Sequence, residues 1–259
     1  MRKMQARLGD IVERALVAWE EVALATAPLR AGLAAAVVAG AEAQAARTRR
    51  APLTWGTVYA ALVCAVAMAL VDRPLALWLK AHVGGDVEGF FKVVTHLGLA
   101  GYTLVPAGLL TLAAWLAARR ALLPEARRRC QRFAWRAGYV FLAVAVPGLV
   151  GDLIKVVVGR ARPRLLLEQG FYGVHPFSHG WVWESFPSGH SNGAFAAAMA
   201  LVVLVPRYDL LWLLVAVLVA ASRVATTVHY FSDVVAGGWL GVAGAVLMAR
   251  WFRRKGVDL

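Results

Sequence analysis

The chain alternates between long apolar runs and short clusters of charged residues. Six apolar runs stand out, at about residues 55–71, 102–118, 137–158, 190–205, 210–228 and 232–251. Each is close to the ~20 residues that a helix needs to cross a bilayer. Pro106 and Pro147 lie inside two of the runs, where they bend a transmembrane helix without ending it. The pattern predicts an all-α protein built as a bundle of six transmembrane helices.

Residues 1–50 follow a different pattern. Apolar residues such as Met4, Leu8 and Ile11 recur there at helical spacing, with charged residues between them. This is typical of an amphipathic helix that lies on a membrane surface or against a partner. A weak likeness to a signal peptide begins only at Arg30, too late in the chain for a secretory signal, so we favour an uncleaved arm. We therefore expect a cytoplasmic or interfacial arm at 1–50 and a membrane domain at 51–259.

Clusters of arginine and lysine predict the orientation of the six spans. They lie at residues 47–50, 119–136, 207 and 250–255. Cytoplasmic loops of membrane proteins carry an excess of these residues, and an arrangement of six spans puts all four clusters on one side. Both termini are therefore expected in the cytoplasm. The segments 72–99, 159–188 and 229–232 are expected as loops on the opposite, outer face.

Composition supports a membrane protein and argues against nucleic-acid binding. The chain is 60% hydrophobic and 17% charged, with a mean hydropathy of +0.63, whereas a soluble domain is nearer half apolar and a quarter charged. The net charge of +13 comes from basic clusters between apolar runs, and the sequence has no nucleic-acid-binding motif. Cys64 lies in an apolar run and Cys130 in an arginine-rich segment, so we expect no disulfide between them.

Three polar clusters lie at the outer ends of the predicted spans. They are Lys155 with Arg162 and Pro163; Pro187, Ser188, Gly189 and His190; and Ser222 and Arg223 with His229 and Asp233. Ionisable groups near a membrane are costly and usually functional. Each cluster alone has a structural interpretation, such as snorkelling cations or a helical His229–Asp233 pair. Those interpretations do not explain three cations and two histidines at one depth.

The cations and the serine–glycine turn are suited to binding a phosphoryl group. Lys155, Arg162 and Arg223 would surround the group and offset its charge. Ser188 and the Gly189 N–H precede a long apolar run, which is the pattern of a helix N-terminus. Free N–H groups and the helix dipole favour an anion at that position.

The two histidines and the aspartate are suited to phosphoryl transfer. His229 would attack phosphorus in line, with Asp233 accepting a hydrogen bond from its other ring nitrogen. His190 would protonate the leaving oxygen and then activate water. Because cationic side chains take the electrostatic role of a divalent ion, we expect neither a metal nor a cofactor.

The three clusters resemble the three signature motifs of the type 2 phosphatidic acid phosphatase family, in the same order and with the same spacing. The resemblance covers about residues 52–252. It implies a metal-independent, six-helix phosphatase of the bacterial cytoplasmic (inner) membrane, acting on lipid phosphates at a site outside the cytoplasm. It also implies the role of each residue: His229 as nucleophile, Asp233 as its partner, His190 as general acid and base, and Lys155, Arg162, Ser188, Gly189 and Arg223 as the phosphate-binding set.

The sequence leaves the substrate and the phosphoryl acceptor open. Candidate substrates are undecaprenyl diphosphate, phosphatidylglycerophosphate, phosphatidic acid and a lipid A phosphate. A phosphotransferase with an alcohol acceptor, and a non-enzymatic transporter or scaffold, are alternative functions, and the oligomeric state stays open. We expect the aromatic residues between 164 and 186, with a short helix near Phe90, to frame the lipid entrance, because aromatic rings favour the membrane interface.

Overall fold

A computed structural model describes residues 39, 41, 42 and 44–259 of the chain. The predicted amphipathic helix within residues 1–38 lies outside the described residues. The chain divides into two units, Met1–Trp55 and Gly56–Leu259, and the second unit contains all three polar clusters. Within the described residues the regular structure is helical, and the β-type pairing is an isolated bridge between Arg160 and Val174. The prediction of an all-α protein is confirmed.

Nine α-helices follow one another in residues 52–259. They are α1 (Pro52–Leu70), α2 (Asp72–His82), α3 (Gly85–Val94), α4 (Gly101–Arg120), α5 (Pro124–Val158), α6 (Pro163–Gln169), α7 (Gly189–Leu204), α8 (Asp209–Ala225) and α9 (Phe231–Arg254). Short 3₁₀ turns at Thr95–Gly98, Trp181–Trp183 and Pro206–Tyr208 connect some of them.

Five helical stretches in the described part of the chain are long and apolar enough to cross a membrane. They are Pro52–Leu70, Gly85–Arg120, Pro124–Val158, Pro206–Ala225 and Phe231–Arg254. The chain is therefore a multi-pass membrane protein. The sequence predicts six spans, and the remaining one corresponds to α7, which is apolar but has only 16 residues. A helix of that length rises about 24 Å, short of the ~30 Å hydrocarbon core.

Several segments that the sequence pattern predicts as loops are helical. The 72–99 segment contains α2 and α3, of which α3 is the short helix predicted near Phe90, and the 159–188 segment contains α6. Most of the basic 119–136 segment belongs to α5, which begins at Pro124, a position where proline is favoured. Arginine is a good helix former. The basic cluster therefore spans the end of α4 at Arg120, a short connection and the first turns of α5.

Small residues let α9 pack directly against the backbone at the start of α7. A Cβ atom added at Gly237 would lie 2.3 Å from the carbonyl oxygen of Ser188, and one added at Gly241 would lie 2.3 Å from that of Asn192. Small residues at helix contacts permit this kind of close approach in membranes. As a result, the turn before α7 lies against the first turns of α9.

The middle of α5 and the C-terminal halves of α7 and α9 share a hydrophobic core. Its buried residues are Tyr139, Ala143, Ala200, Ala245, Ala249 and Phe252. The Tyr139 hydroxyl donates a hydrogen bond to the carbonyl of Ala245 (3.3 Å). Since α5, α7 and α9 each carry or adjoin one of the polar clusters, this core helps to fix the clusters relative to one another.

We expect Gly241→Ala to destabilise the protein. The added methyl would meet two backbone atoms, the Asn192 carbonyl oxygen at 2.3 Å and the Ala196 nitrogen at 2.8 Å. Overpacking of this kind costs about 1–3 kcal/mol, so the thermal unfolding midpoint in detergent should fall. Gly89→Ala is the matched control, because nothing lies within 4 Å of a Cβ there. Equal midpoints for the two variants would contradict the close α7–α9 contact.

Candidate active site

The turn at residues 187–190 ends in a capped helix N-terminus. Ser188 is fully buried and caps α7: its Oγ accepts hydrogen bonds from the Ser191 N–H (3.5 Å) and the Ser191 hydroxyl (3.1 Å). Its own N–H donates to the backbone oxygen of Asp233 (2.9 Å), which ties the turn to α9. The first N–H groups of a helix have no intrahelical acceptor. They are suited to an anion at this turn.

A cavity of about 230 Å³ adjoins this turn. The residues that line it include Lys155 on α5, Gly189 and His190 on α7, and residues 98–100 before α4. A Cβ at Gly189 would lie 3.2 Å from the Lys155 ammonium, so the glycine leaves room for that cation beside the turn. Lys155 is paired with Asp152 (2.7 Å), whose side chain is 69% exposed. An exposed partner is weakly held, and a phosphate could replace it.

Backbone carbonyl oxygens hold Arg162 in place. Its Nε donates to Trp181 (2.7 Å), its Nη2 to Glu184 (3.2 Å) and its Nη1 to Val228 (3.4 Å). The guanidinium also lies 4.3 Å from the centre of the Trp181 ring. Burial lowers the pKa of Arg162 to about 10, against the raising effect of Asp233 and Glu184. Arg162 is therefore positively charged at neutral pH and fixed in position.

Arg223 approaches the site from the last turn of α8. It is buried, and its Nη1 donates to the Thr95 hydroxyl (2.5 Å) in the 3₁₀ turn before α4. Its Nε is buried without a hydrogen-bond partner. A buried guanidinium nitrogen without an acceptor is costly, and a phosphate oxygen is an acceptor that would relieve this cost.

The hydrogen bond of His229 shows which of its ring nitrogens carries the proton. Nδ1 lies 2.8 Å from the carbonyl oxygen of Ser185. A carbonyl only accepts, so Nδ1 carries the proton and Nε2 keeps its lone pair. Burial lowers the pKa of His229 to about 4; Asp233 opposes this shift, and the charges of Arg162 and Arg223 add to it. His229 is therefore neutral at physiological pH, as a nucleophile requires.

Asp233 lies beside His229, but its oxygens are engaged with other groups. Its Oδ2 is 3.7 Å from His229 Nδ1, an ion-pair distance that is too long for a hydrogen bond. Oδ2 accepts hydrogen bonds from Ser185 Oγ (2.6 Å) and the Tyr230 N–H (2.8 Å), and Oδ1 accepts one from Arg160 Nη1 (2.5 Å). The ring N–H that the sequence assigned to Asp233 thus points to the Ser185 carbonyl. Asp233 occupies the first turn of α9, where its carboxylate caps the helix, and this accounts for the difference.

The three polar clusters meet at one end of the helices. Lys155 and His190 line one cavity, Arg162 donates to the carbonyl of Val228 next to His229, and the His229 N–H donates to the carbonyl of Arg223 (3.1 Å). Lys155 approaches Gly189, and Ser188 bonds to Asp233, as described above. All eight residues predicted from the sequence are thereby connected in one region of the described chain.

Sequence reasoning missed four buried polar residues behind His229: Asp72, Arg160, Ser185 and Ser232. Arg160 pairs with Asp72 through Nη2 (2.8 Å) and with Asp233 through Nη1 (2.5 Å). Burial disfavours its charge, but Asp233 and Asp72 outweigh that effect and raise the pKa of Arg160 above its ordinary value. The sequence contains only a weak indication that these residues belong to the site. Arg160 falls between two motif positions, and Asp72 resembles any charge at the end of an apolar run.

The chain matches a family model and two characterised relatives. Residues 136–256 match the model of the PAP2 superfamily. The chain is 34% identical over 209 residues to a lipid A 1-phosphatase of Rhizobium etli, covering 77% of this chain and 87% of that protein. It is also 34% identical over 209 residues to a lipid A 1-phosphatase of Rhizobium johnstonii, covering 77% and 83%.

Two crystal structures share the fold. One is a transmembrane PAP2-type phosphatidylglycerolphosphate phosphatase from Bacillus subtilis, with a TM-score of 0.57 and 20% identity over 78% of this chain and 96% of that one. The other is Aquifex aeolicus LpxE, with a TM-score of 0.50 and 22% identity over 70% and 95%. The family match and the identity to the Rhizobium proteins agree with the three motifs: the chain belongs to the PAP2 superfamily, the type 2 phosphatidic acid phosphatases.

Proposed function

We propose that this protein is a membrane phosphatase that hydrolyses a lipid phosphate through a phosphohistidine on His229. Membership of the PAP2 superfamily supports the lipid phosphatase activity. The observation that carries the mechanism is the state of His229. Its Nδ1–H is held by the Ser185 carbonyl, and the ring is neutral among Arg162 and Arg223. Its Nε2 is therefore free to attack a phosphoryl group that those cations bind.

In the first step, the phosphoryl group moves from the lipid to His229. Nε2 forms a bond to phosphorus while the bond between phosphorus and the lipid oxygen breaks. His190, protonated when the phosphate dianion is bound, gives its proton to that oxygen. The products are the lipid alcohol and a phosphohistidine.

In the second step, water releases the phosphate. His190, now neutral, takes a proton from a water molecule whose oxygen attacks phosphorus. The N–P bond breaks, its electrons return to Nε2, and inorganic phosphate leaves. His190 is then protonated again, so the cycle balances without a redox step or cofactor.

The cations supply the electrostatic stabilisation that this transfer needs. Arg162 is preorganised by three carbonyls, and Lys155 can exchange its exposed partner Asp152 for a phosphate oxygen. Preorganised charges of this kind act where negative charge develops. They perform the role that a divalent ion has in other phosphatases, which is consistent with the metal-independent chemistry of the family.

As substrate we propose a glycolipid phosphate of the lipid A type. The Rhizobium relatives, whose sequences cover most of this chain, support this choice over undecaprenyl diphosphate, phosphatidylglycerophosphate or phosphatidic acid. The exposed rings of Phe171, Phe177 and Trp181 between α6 and α7, and of Phe90 on α3, suit an interfacial lipid entrance.

We further propose that α7 serves as the sixth span and that the protein lies in the bacterial inner membrane. On this arrangement both termini are cytoplasmic and the site faces outward. The arginines of the first half of α5 and of the C-terminal turn of α9 support this orientation, because both groups lie at the helix ends away from the histidines.

We expect His229→Ala to abolish phosphate release while the fold is retained. Loss of a nucleophile lowers turnover by at least about 10³-fold, measured as inorganic phosphate released by purified protein in detergent with EDTA present. His82→Ala, which removes an exposed histidine on α2, should keep the wild-type rate. Turnover that survives in His229→Ala would exclude the phosphohistidine. Phosphate transfer to a lipid alcohol without release would favour the phosphotransferase.

The same assay tests the substrate. Among lipid A 1-phosphate, phosphatidylglycerophosphate, phosphatidic acid and undecaprenyl diphosphate, we expect the highest kcat/KM with lipid A 1-phosphate, because of the Rhizobium relatives. A higher kcat/KM with any of the other three lipids would contradict the proposed substrate.

We expect the imidazole of His229 to titrate near pH 4 and to keep its Nδ1–H at neutral pH. Between about pH 4 and the unfolded value near 6.5, the unfolded chain binds more protons than the folded one. The contribution of His229 to the free energy of unfolding therefore falls as the pH falls through that window. The ¹⁵N shifts of labelled histidine report the titration, with His229→Gln to assign the signal. A midpoint near 6.5 would contradict the desolvated site.

A further inference from the structure

Two carboxylates and one guanidinium form a buried cluster behind His229. We call Asp72, Arg160 and Asp233 the buried charge triad. Their relative exposures are 1%, 4% and 0%. Arg160 lies between the two acids, 2.8 Å from Asp72 Oδ2 and 2.5 Å from Asp233 Oδ1. The formal charge of the triad is therefore negative by one unit.

Asp72 is held firmly in this position. It accepts hydrogen bonds from the Ser232 N–H (3.0 Å) and from the Ser232 hydroxyl. Ala76, one turn further along α2, packs with Leu166 and Tyr230 in a small buried core. Asp72 thus brings a charge from α2 to the catalytic region, although α2 lies outside the residues that match the family model.

Aromatic rings keep water away from the triad. The Arg160 guanidinium lies 4.5 Å from the centre of the Tyr230 ring, and its Nη2 donates to the Tyr172 hydroxyl (3.0 Å). That hydroxyl in turn donates to the carbonyl of Met68 (2.7 Å). Charges in such a dry setting interact strongly. One unit of charge in the triad should therefore affect the nearby imidazole.

The charge of the triad matters when phosphorus bonds to His229. The ring then becomes positive, since Nε2 carries the phosphoryl group and Nδ1 keeps its proton. Asp233 Oδ2 is 3.7 Å from Nδ1 and stabilises that charge. Arg160 alone would neutralise Asp233. Asp72 shares the guanidinium and leaves the triad with a net negative charge facing the ring.

We propose that Asp72 is a positioning residue for catalysis, which acts through Arg160 to keep a net negative charge behind His229 while phosphorus is bonded to the ring. This inference rests on the proposed function. A purely structural role, in which Asp72 only pins α2 to α9, is the competing interpretation. The two differ in whether charge or packing decides the rate.

Asp72→Asn distinguishes the two interpretations, because it leaves Arg160 balanced by Asp233 alone. We expect kcat per folded molecule to fall roughly 10- to 100-fold, by analogy with the loss of an outer partner of a metal ligand, with KM close to wild type. The thermal midpoint should also fall, because a buried ion pair loses one of its charges. A structural role alone predicts an unchanged kcat per folded molecule. Glu168→Gln, which removes an exposed carboxylate from its pair with Arg164, should match wild type.

A double variant tests the charge count directly. Asp72→Asn with Arg160→Gln removes one negative and one positive charge, so the triad returns to a net charge of minus one. We expect its kcat to exceed that of Asp72→Asn, a non-additive recovery that double-mutant analysis detects. The double variant leaves Asp233 without an ion-pair partner, although Ser185 Oγ and the Tyr230 N–H still donate to it, so kcat is compared per folded molecule. A double variant no faster than Asp72→Asn would overturn the inference.

The assay should also use p-nitrophenyl phosphate, whose leaving group departs without a proton from His190. The release of p-nitrophenolate before steady state reports the attack by His229 and requires no lipid. A wild-type protein that releases phosphate from neither this ester nor any lipid would refute the proposed function. Wild-type turnover of the ester that Asp72→Asn leaves unchanged would refute this inference alone.

Discussion

The contact between the turn before α7 and the first turns of α9 determines the geometry of the site. The Ser188 N–H donates to the backbone oxygen of Asp233, and Gly237 has no side chain to keep the two backbones apart. Through this contact the anion-binding end of α7 lies beside the helix that carries Asp233 and follows His229. The proposed nucleophile, His229, and the proposed general acid, His190, are thus attached to two backbones in direct contact.

Two arginines in one short segment have opposite partners and therefore different roles. Arg162 donates to three backbone carbonyls, which satisfy its hydrogen bonds and leave its positive charge uncompensated for a phosphate. Arg160 donates to two carboxylates, so the positive charge of its guanidinium is outweighed by two negative charges. Both residues are arginines, so the difference in their roles comes from the groups to which they donate hydrogen bonds.

Much of the site could be predicted from the sequence, because its residues stand at fixed spacings at the ends of apolar runs. The convergence of Lys155, His190 and His229 follows from that pattern and from alternating spans. Ser185 could not be predicted, because its backbone carbonyl is the acceptor and any residue has one. Asp72 could not be assigned, since its role depends on folding of the 72–99 and 159–188 segments. Those segments proved more helical than their mixed polarity indicated.

Positive charges lie on one side of the His229 ring, and the carboxylate of Asp233 lies on the other. Arg162 and Arg223 lie where a phosphoryl group would bind, and both lower the pKa of the ring. Asp233 lies behind the ring, with Arg160 and Asp72 beyond it. In the proposed mechanism, negative charge stays near the arginines while positive charge appears on the imidazole as the phosphoryl group bonds to Nε2. Each charge then faces its opposite, so one fixed arrangement stabilises both the bound dianion and the phosphohistidine. Fixed charges of this kind need no reorganisation during the reaction, which is the advantage of burying them despite the cost of removing them from water.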